Sequence, residues 1–340
     1  MSRPIRVLIS GAAGVVAQGL VKSLERCEME TELFLTCIYP DSPFLHRGHR
    51  SYLAPLSSSD EYLPFLETLI AREGIDLFIP AVDSELTKIS HHKSSLEERT
   101  GVKVFCGTPA QQEICADKLL TAQFLKKSGF PYPQTVDASA SEARQKATQI
   151  GFPLIVKPRQ GRGSAEVQLV RSPEELAPYL GDSRFCFQEW LPDDSEEYTS
   201  GVYLGEDGQV KGICILKREL RHGSTVKAQR IINRDFEVQL TRIASRLGLK
   251  YLNIQARLKG SVLYPFEFNG RFSGTTGIIS RVFNAPEMLL REWFHGESIE
   301  PIDSDEEFIA MRYDEEIFTT PADIEALMQR SEDLAASRNF

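Results

Sequence analysis

One lysine carried by an apolar strand into a glycine-bearing turn is the segment with the clearest chemical purpose. Gly151-Phe-Pro-Leu-Ile-Val-Lys157-Pro-Arg-Gln-Gly161-Arg-Gly163-Ser164 reads as a strand ending on Lys157, followed by a short Gly/Ser/basic loop. A point charge beside the backbone N–H groups of Gly161, Gly163 and Ser164 suits anionic oxygens such as those of phosphates. The lysine precedes the glycines, so this is not a Walker loop. A hairpin turn with a surface lysine is the plainer reading of the same residues. Downstream, Glu267-Phe-Asn269-Gly-Arg271 closes another apolar strand. Alternation puts Glu267, Asn269 and Arg271 on one face. A carboxylate and an amide oxygen so spaced suit Mg2+, a hard ion that takes oxygen ligands plus nucleotide phosphates. Asn253-Ile-Gln255, on the preceding strand, brings Gln255 alongside.

A second glycine loop lies near the N-terminus, at Ser10-Gly11-Ala12-Ala13-Gly14, between a strand and a helix. Gly11 and Gly14 allow a tight turn and close approach of a ligand to the helix N-terminus. Three readings stay open. One is a dinucleotide site with Asp41 on the ribose, although the spacing is G-x-x-G and not G-x-G-x-x-G. Another is a bare turn, and the third is a grip on part of a different substrate. Pro80-Ala-Val-Asp83-Ser-Glu85 follows another strand of the same region. Asp83 and Glu85 either hold an ammonium group, or Asp83 caps the helix that follows. His91 and His92 on that helix read as surface residues.

The elements that must position these residues fall into two textures. Strands at Ile5–Ser10, Leu33–Tyr39, Asp76–Pro80 and Val102–Phe105 alternate with helices at Ala17–Glu25, Glu61–Glu73 and Leu86–Thr100. That alternation implies a parallel sheet covered on both faces. After about residue 110 the pattern is mixed. Helices are expected at Asp117–Ser128, Pro173–Leu180 and Phe236–Leu247. Strands are expected at Pro153–Pro158, Glu166–Val170, Phe185–Leu191, Leu252–Leu258 and Val262–Phe268, with a hairpin Tyr198–Leu204/Val210–Lys217 turning at Asp207-Gly208. The loop Arg218–Arg230 either closes over a substrate or is a solvated charged turn.

The chain has 340 residues, 41% hydrophobic and 26% charged, with a formal net charge of -9. That balance argues against a nucleic-acid partner, because a phosphate backbone needs a net basic surface. No stretch approaches the roughly 20 apolar residues of a membrane span, and the N-terminus carries no apolar signal core. The expectation is a cytoplasmic protein. Six cysteines are scattered without a C-x-x-C pair, which reads as reduced core thiols.

Taken together, the motifs resemble the ATP-grasp superfamily, in particular the carbamoyl-phosphate synthetase large subunit, D-alanine–D-alanine ligase and biotin carboxylase. The resemblance runs in order over about residues 113–295. It is carried by Ala116-Asp117-Lys118, Phe152–Pro158 with its glycine loop, Gln188-Glu189-Trp190-Leu191 with Glu197-Tyr198-Thr199, Asn253-Ile-Gln255 and Glu267-Phe-Asn269-Gly-Arg271. It implies Lys118 and Lys157 on ATP phosphates, Glu189, Trp190 and Leu191 as the adenine hinge, and Glu197 on the ribose. It implies Gln255, Glu267 and Asn269 as ligands of Mg2+, with Mn2+ as an alternative. Lys217 becomes a further phosphate contact, and Arg271 a holder of the carboxylate or its acyl phosphate. Two positions depart from the pattern. Several members have an acid where Gln255 stands, while the carbamoyl-phosphate synthetase type has Gln there, and Gly270 replaces the usual proline.

The implied fold is α/β. A Rossmann-like parallel domain over 1–112 is followed by a two-lobed α+β ATP-grasp domain over 113–305 and a tail over 306–340. The lobes are expected at about 120–190 and 191–305. The implied activity is ATP-dependent ligation of a carboxylate to an amine through an acyl phosphate, with small-molecule substrates and a homodimer as an option. Bicarbonate as the acid, an NAD(P)-linked oxidoreductase and a non-catalytic nucleotide-binding regulator are the alternatives.

Overall fold

The computed structural model describes residues 3–161, 166–191 and 197–337. Gly163 and Ser164, expected in the phosphate loop, lie outside them. In chain order the elements begin with β1 (Ile5–Ile9), α1 (Val15–Leu24), β2 (Thr31–Cys37), β3 (Arg50–Leu53), α2 (Tyr62–Glu73), β4 (Leu77–Ile79), α3 (Asp83–Thr100) and β5 (Lys103–Val104). There follow α4 (Pro109–Ala116), α5 (Lys118–Lys127), β6 (Thr135–Asp137), α6 (Ala143–Ile150), β7 (Leu154–Pro158), β8 (Gln168–Val170) and β9 (Phe185–Glu189). Next are β10 (Glu197–Leu204), β11 (Val210–Arg221), β12 (Ser224–Ile231), α7 (Arg234–Leu247), β13 (Tyr251–Lys259) and β14 (Val262–Asn269). The last are α8 (Thr276–Ile279), α9 (Ala285–His295), β15 (Ile309–Met311) and α10 (Pro321–Ala336). Among the described residues no helix is long and apolar enough to cross a membrane.

The chain divides into two compact units, and not in sequence order. The first gathers Met1–Pro109, Arg271–Glu300 and Tyr313–Phe340; the second gathers Ala110–Gly270 and Pro301–Arg312. This differs from the linear division at 112 and 305. Two packings bring the late segments into the first unit. At Gly19 of α1, a Cβ would lie 3.2 Å from the Gly277 nitrogen of α8, so two glycines let these backbones meet. In α10, Leu334 is fully buried in the core shared with Leu8, Phe34 and Tyr52, and Ser331 accepts the Leu53 N–H at 2.9 Å.

The first unit is built on a parallel sheet of order β3-β2-β1-β4-β5. Val7, Leu8 and Ile9 are completely buried, as a parallel strand covered on both faces requires. β3 was not foreseen. It is a short edge strand, Arg-Ser-Tyr-Leu, with no alternation long enough to read. β1 lies between β2 and β4, so the chain reverses its direction of travel through the sheet there, where α/β sheets leave a crevice.

The second unit holds two antiparallel sheets. One has order β6-β9-β7-β8 and the other β14-β13-β10-β11-β12-β15. Under the smaller sheet, Ala143 and Ala147 of α6 pack with Val136, Leu154 and Phe187. The larger sheet packs on α7 through Leu240, Ile243 and Leu247. Two expectations are corrected. Pro173–Leu180 is not a helix and contains only a 3-10 turn, Ala177–Tyr179. Pro178 lacks an N–H and its ring would strike the carbonyl four residues back in a helix. The Arg218–Arg230 segment is not a loop either. β11 continues to Arg221, turns at His222 and Gly223, both at positive φ, and returns as β12. Two positive-φ residues are what a tight hairpin with strand-matched twist needs.

β14 breaks its own alternation. Gln255 pairs with Glu267 but Ala256 pairs with Pro265, so Phe266 is an extra residue. Leu263 and Phe268, an odd number of residues apart, consequently lie in the same core. The bulge turns Glu267 away from the side that Leu263 and Pro265 occupy.

At the carboxyl end of the first sheet, Gly11 has φ +67° and Gly14 N–H donates to its carbonyl at 2.8 Å. A Cβ at Gly11 would strike Val82. Ala12 N–H donates to Thr36 O at 2.9 Å. The loop therefore spends these amides internally, as a structural turn does. Behind it the Ser10 hydroxyl donates to Glu85 and accepts the Ala81 N–H at 3.0 Å. Burial pushes the Glu85 carboxyl up to about 7, and the Asp83 charge adds to this, against the hydroxyls of Ser10 and Tyr62. An acid raised from 4.5 to about 7 holds more protons folded than unfolded between those values. Its contribution is present below pH 4.5 and is lost as pH rises through 7. Glu85→Gln should therefore lose less melting temperature than the parent between pH 5 and pH 8. Equal losses in a thermal-denaturation pH series would remove Glu85 as the source.

Candidate functional site

Register across the larger sheet assembles a polar face. Glu197 of β10 pairs with Arg257 of β13, Thr199 with Gln255, Gln255 with Glu267 and Asn253 with Asn269. Arg218 reaches Glu197 Oε1 through Nε at 3.1 Å and Nη2 at 2.6 Å, while Arg257 Nη2 reaches Glu197 Oε2 at 2.7 Å. Arg218 Nη2 also donates to Gln255 Oε1 at 2.8 Å, and Gln255 Nε2 to Glu267 Oε1 at 3.2 Å. Asn269 Nδ2 lies 3.3 Å from Asn253 Oδ1 and 3.5 Å from Glu267 Oε1. Asn253 spends its own amide hydrogens on Thr199 Oγ1 and Ser200 O, at 2.8 and 3.1 Å.

The smaller sheet contributes Lys157, which is 6% exposed. Its ammonium donates to Gln188 Oε1 at 2.7 Å and sits 5.4 Å from the ring centre of Phe266, the bulge residue. Gln188 is held in turn by donating to Thr135 Oγ1 at 2.9 Å. Burial pulls the Lys157 pKa from 10.5 down to about 8; Lys118 and Arg257 lower it further, and Glu267 opposes them. Lys157 and Glu267 thus feel each other within one unit. Lys118 opens α5 behind its cap Asp117, which accepts from the Leu119 and Leu120 N–H groups. Asp117 also holds the Arg159 guanidinium at 2.6 Å, and Lys118 Nζ donates to Gly161 O at 3.0 Å. Cap, β7 and loop are thereby tied together.

The remaining candidates are placed as follows. Glu189 ends β9; its carboxylate accepts the Gln134 N–H at 3.0 Å and pairs with Lys259, so the side chain is structural and any base-reading falls to the main chain of 189–191. Trp190 is half-buried and Leu191 is buried. Lys217 pairs with Tyr198, whose ring packs edge-on against Phe236 of α7. Lys217 therefore lies on the opposite face from Arg218 and Glu267, which removes the ground for a phosphate contact. In the first unit, Arg271 forks onto Asp83, Nε to Oδ1 at 2.6 Å and Nη2 to Oδ2 at 2.7 Å, and donates to Phe272 O through Nη1 at 2.9 Å. Asp83 is thus engaged by Arg271, and it does not cap α3, whose cap is Val82 without a side-chain bond. Gln188, Arg218, Arg257 and Phe266 were not among the expected site residues. Arg257 was legible as the next same-face residue after Gln255; Phe266 was not, because a bulge leaves no mark on a periodic pattern.

The donor set suits a hard divalent ion that arrives with phosphates. Among the described residues no group of three or more His, Cys, Asp and Glu side chains converges on a metal position. Glu267 could offer one carboxylate and Asn269 an amide, which would leave most of the coordination of a Mg2+ ion to phosphates and water.

Residues 115–275 match the ATP-grasp domain family. The carbamoyl phosphate synthase large chain of Campylobacter jejuni is 27% identical over 237 residues, covering 64% of this chain and 22% of that protein. The C-terminal section of the Methanocaldococcus jannaschii enzyme is 26% identical over 208 residues, covering 56% of this chain and 33% of that protein. The chain thus spans a third or less of these relatives. Among solved structures, Staphylococcus aureus N5-carboxyaminoimidazole synthetase superposes with TM-score 0.69 at 16% identity, covering 92% of this chain and 83% of that one. The biotin carboxylase domain of Hydrogenobacter thermophilus 2-oxoglutarate carboxylase, solved as a dimer with MgADP, ADP and bicarbonate, gives 0.65 at 16% identity, covering 85% and 69%. Residues 115–275 of this chain are an ATP-grasp domain, homologous to part of the carbamoyl phosphate synthase large chain.

Proposed function

We propose that this protein is an ADP-forming ligase that activates a small carboxylate as an acyl phosphate and transfers the acyl group to an amine. One observation carries the reading. A buried ammonium, Lys157, faces the same region as Glu267, with Lys118 and Arg257 close enough to depress it. Crowded cations around one carboxylate call for an anion of high charge, and a nucleoside triphosphate meets that demand. ATP with Mg2+, or with Mn2+, is the cofactor pair that fits.

In the first step a carboxylate oxygen of the substrate attacks the γ-phosphorus. The new O–P bond forms as the bond to ADP breaks. Lys157 and Lys118 neutralise charge on the transferred group, which is most of what such a transfer asks of a protein. Glu267 and Asn269 would hold the ion, which would supply charge neutralisation for the phosphates. In the second step the amine attacks the acyl carbon, phosphate leaves with the bonding pair, and the amine proton passes to solvent or phosphate. Arg271, committed to Asp83, is not assigned to either step.

Bicarbonate is the second reading for the acid. It is favoured by the names of the relatives, since carbamoyl phosphate synthase recurs among the sequence matches and biotin carboxylases among the structures. A homodimer is proposed on the dimeric biotin carboxylase domain alone. The test is ADP release in the presence of ATP and Mg2+ against separate panels of amino acids, other carboxylates and bicarbonate, each with amine acceptors. ADP release with no acid preference in any panel would sink the ligase reading.

Lys157→Met should abolish acid-dependent ADP release, by at least about a thousandfold, since it removes charge stabilisation in an enclosed site. The same change should leave the melting temperature at pH 7 unchanged or higher. A lysine lowered from 10.5 to about 8 destabilises the fold by on the order of 3 kcal/mol below pH 8, and the penalty disappears as pH climbs toward 10.5. A cooperative drop in melting temperature at pH 7 would show that the side chain is structural. Binding of a non-hydrolysable ATP analogue should weaken as pH rises above about 8, by up to about tenfold per pH unit, with no such slope in Lys157→Met. A pH-independent titration by calorimetry would exclude Lys157 from the phosphate site.

A further inference from the structure

We infer that Gln255 does not ligate metal in this site, because the Arg218 guanidinium holds its oxygen and puts a fixed positive charge where a second divalent ion would have to sit. The inference rests on the nucleotide reading above. It starts from one amide. One terminal atom of Gln255 lies 2.8 Å from Arg218 Nη2 and the other 3.2 Å from Glu267 Oε1. A guanidinium only donates and a carboxylate only accepts. The atom facing Arg218 must therefore be oxygen, and the atom facing Glu267 must be the NH2 group. Rotating the amide would oppose donor to donor and acceptor to acceptor at once. Gln255 thus shows Glu267 hydrogens, not a lone pair.

Arg218 is not free to move aside. Its side chain is 10% exposed, and two of its nitrogens hold Glu197 Oε1. Glu197 is fixed from the other side by Arg257. An ion on Gln255 Oε1 would sit about 2.1 Å from that oxygen, hence within about 5 Å of a guanidinium nitrogen. Two positive groups so close on a half-buried face repel strongly. Asn269 is turned differently. Its NH2 group faces Asn253 Oδ1, because Asn253 has committed its own hydrogens to Thr199 and Ser200. That directs the Asn269 oxygen away from Asn253, and its NH2 group lies 3.5 Å from Glu267 Oε1; what sets Gln255 apart is that its oxygen is the atom held by the Arg218 guanidinium. Arg218 and Gln255 are positioning residues: they hold the Glu267 carboxylate and add one fixed positive charge.

The consequence is a count. With saturating β,γ-methylene ATP and Mn2+ as the probe, electron paramagnetic resonance should show one Mn2+ bound per wild-type chain. Arg218→Met should raise the count to two, because the amide is released and the fixed charge is gone. Two ions on the wild-type chain would overturn the inference while leaving nucleotide binding intact, as would a count of one on an Arg218→Met chain that still binds the analogue. If that variant does not fold, Gln255→Glu tests the same point. A new carboxylate neutralised by Arg218 keeps the count at one, and a count of two refutes the assignment. Calorimetry on the wild-type chain separates the two levels, since no binding of the analogue at all would overturn the nucleotide reading and this inference with it.

Discussion

A charged amine enclosed by protein has to be matched by something, and most of this molecule's second unit can be understood from that requirement. Lys157 is nearly inaccessible, its hydrogen-bond partner is the neutral Gln188 amide, and its nearest ring is Phe266. Neither partner carries a full negative charge. The Glu267 carboxylate is an opposing charge in its neighbourhood, set against the cations of Lys118 and Arg257. Burial lowers the cost of discharging the lysine, and the proposed anionic ligand would supply the missing counter-charge. Preorganised positive charge in a dry place is worth far more to a phosphoryl group than the same charge in water.

Two sheets must cooperate to produce this. The smaller one contributes Lys157, and through the Asp117–Arg159 pair it fixes the start of α5 where Lys118 stands. The larger contributes a rank of polar side chains across four strands, each held by its neighbour: Arg218, Glu197, Arg257, Gln255 and Glu267. Because the donors and acceptors form one continuous run, the orientation of the Gln255 amide is dictated by the charged groups on either side of it. The charge ledger of the face follows from Arg218, a residue that periodicity alone marks only as one more cation in a basic stretch.

The sequence made the larger plan readable. Alternating strands and helices up to residue 110, the Asp207-Gly208 hairpin and the strand carrying Lys157 all rest on local signals that the fold respects. What stayed hidden depends on distance in sequence. β3 and β15 are too short to have a period. Arg271 finds Asp83 across 188 residues, and no spacing rule announces such a pair. The return of 271–300 and 313–340 to the first unit is set by burial of Leu334 and the Gly19–Gly277 approach, which only the folded chain defines. Lys217 was legible as a strand residue, but its face was not, because that requires the partner register with Tyr198.

The extra residue in β14 has an implication for how this segment tolerates change. Leu263 and Phe268 share a core only because Phe266 is inserted between their pairing positions. Excising any one residue from 264–266 would restore regular two-fold pleating and swing the carboxylate at 267 into the oil beneath α7, with an aromatic ring exposed in its place. A conservative side-chain swap at 264 or 266 leaves that phase untouched. For this strand, then, chain length between the two anchoring apolar residues is the stricter requirement, and drift in lettering is the milder one.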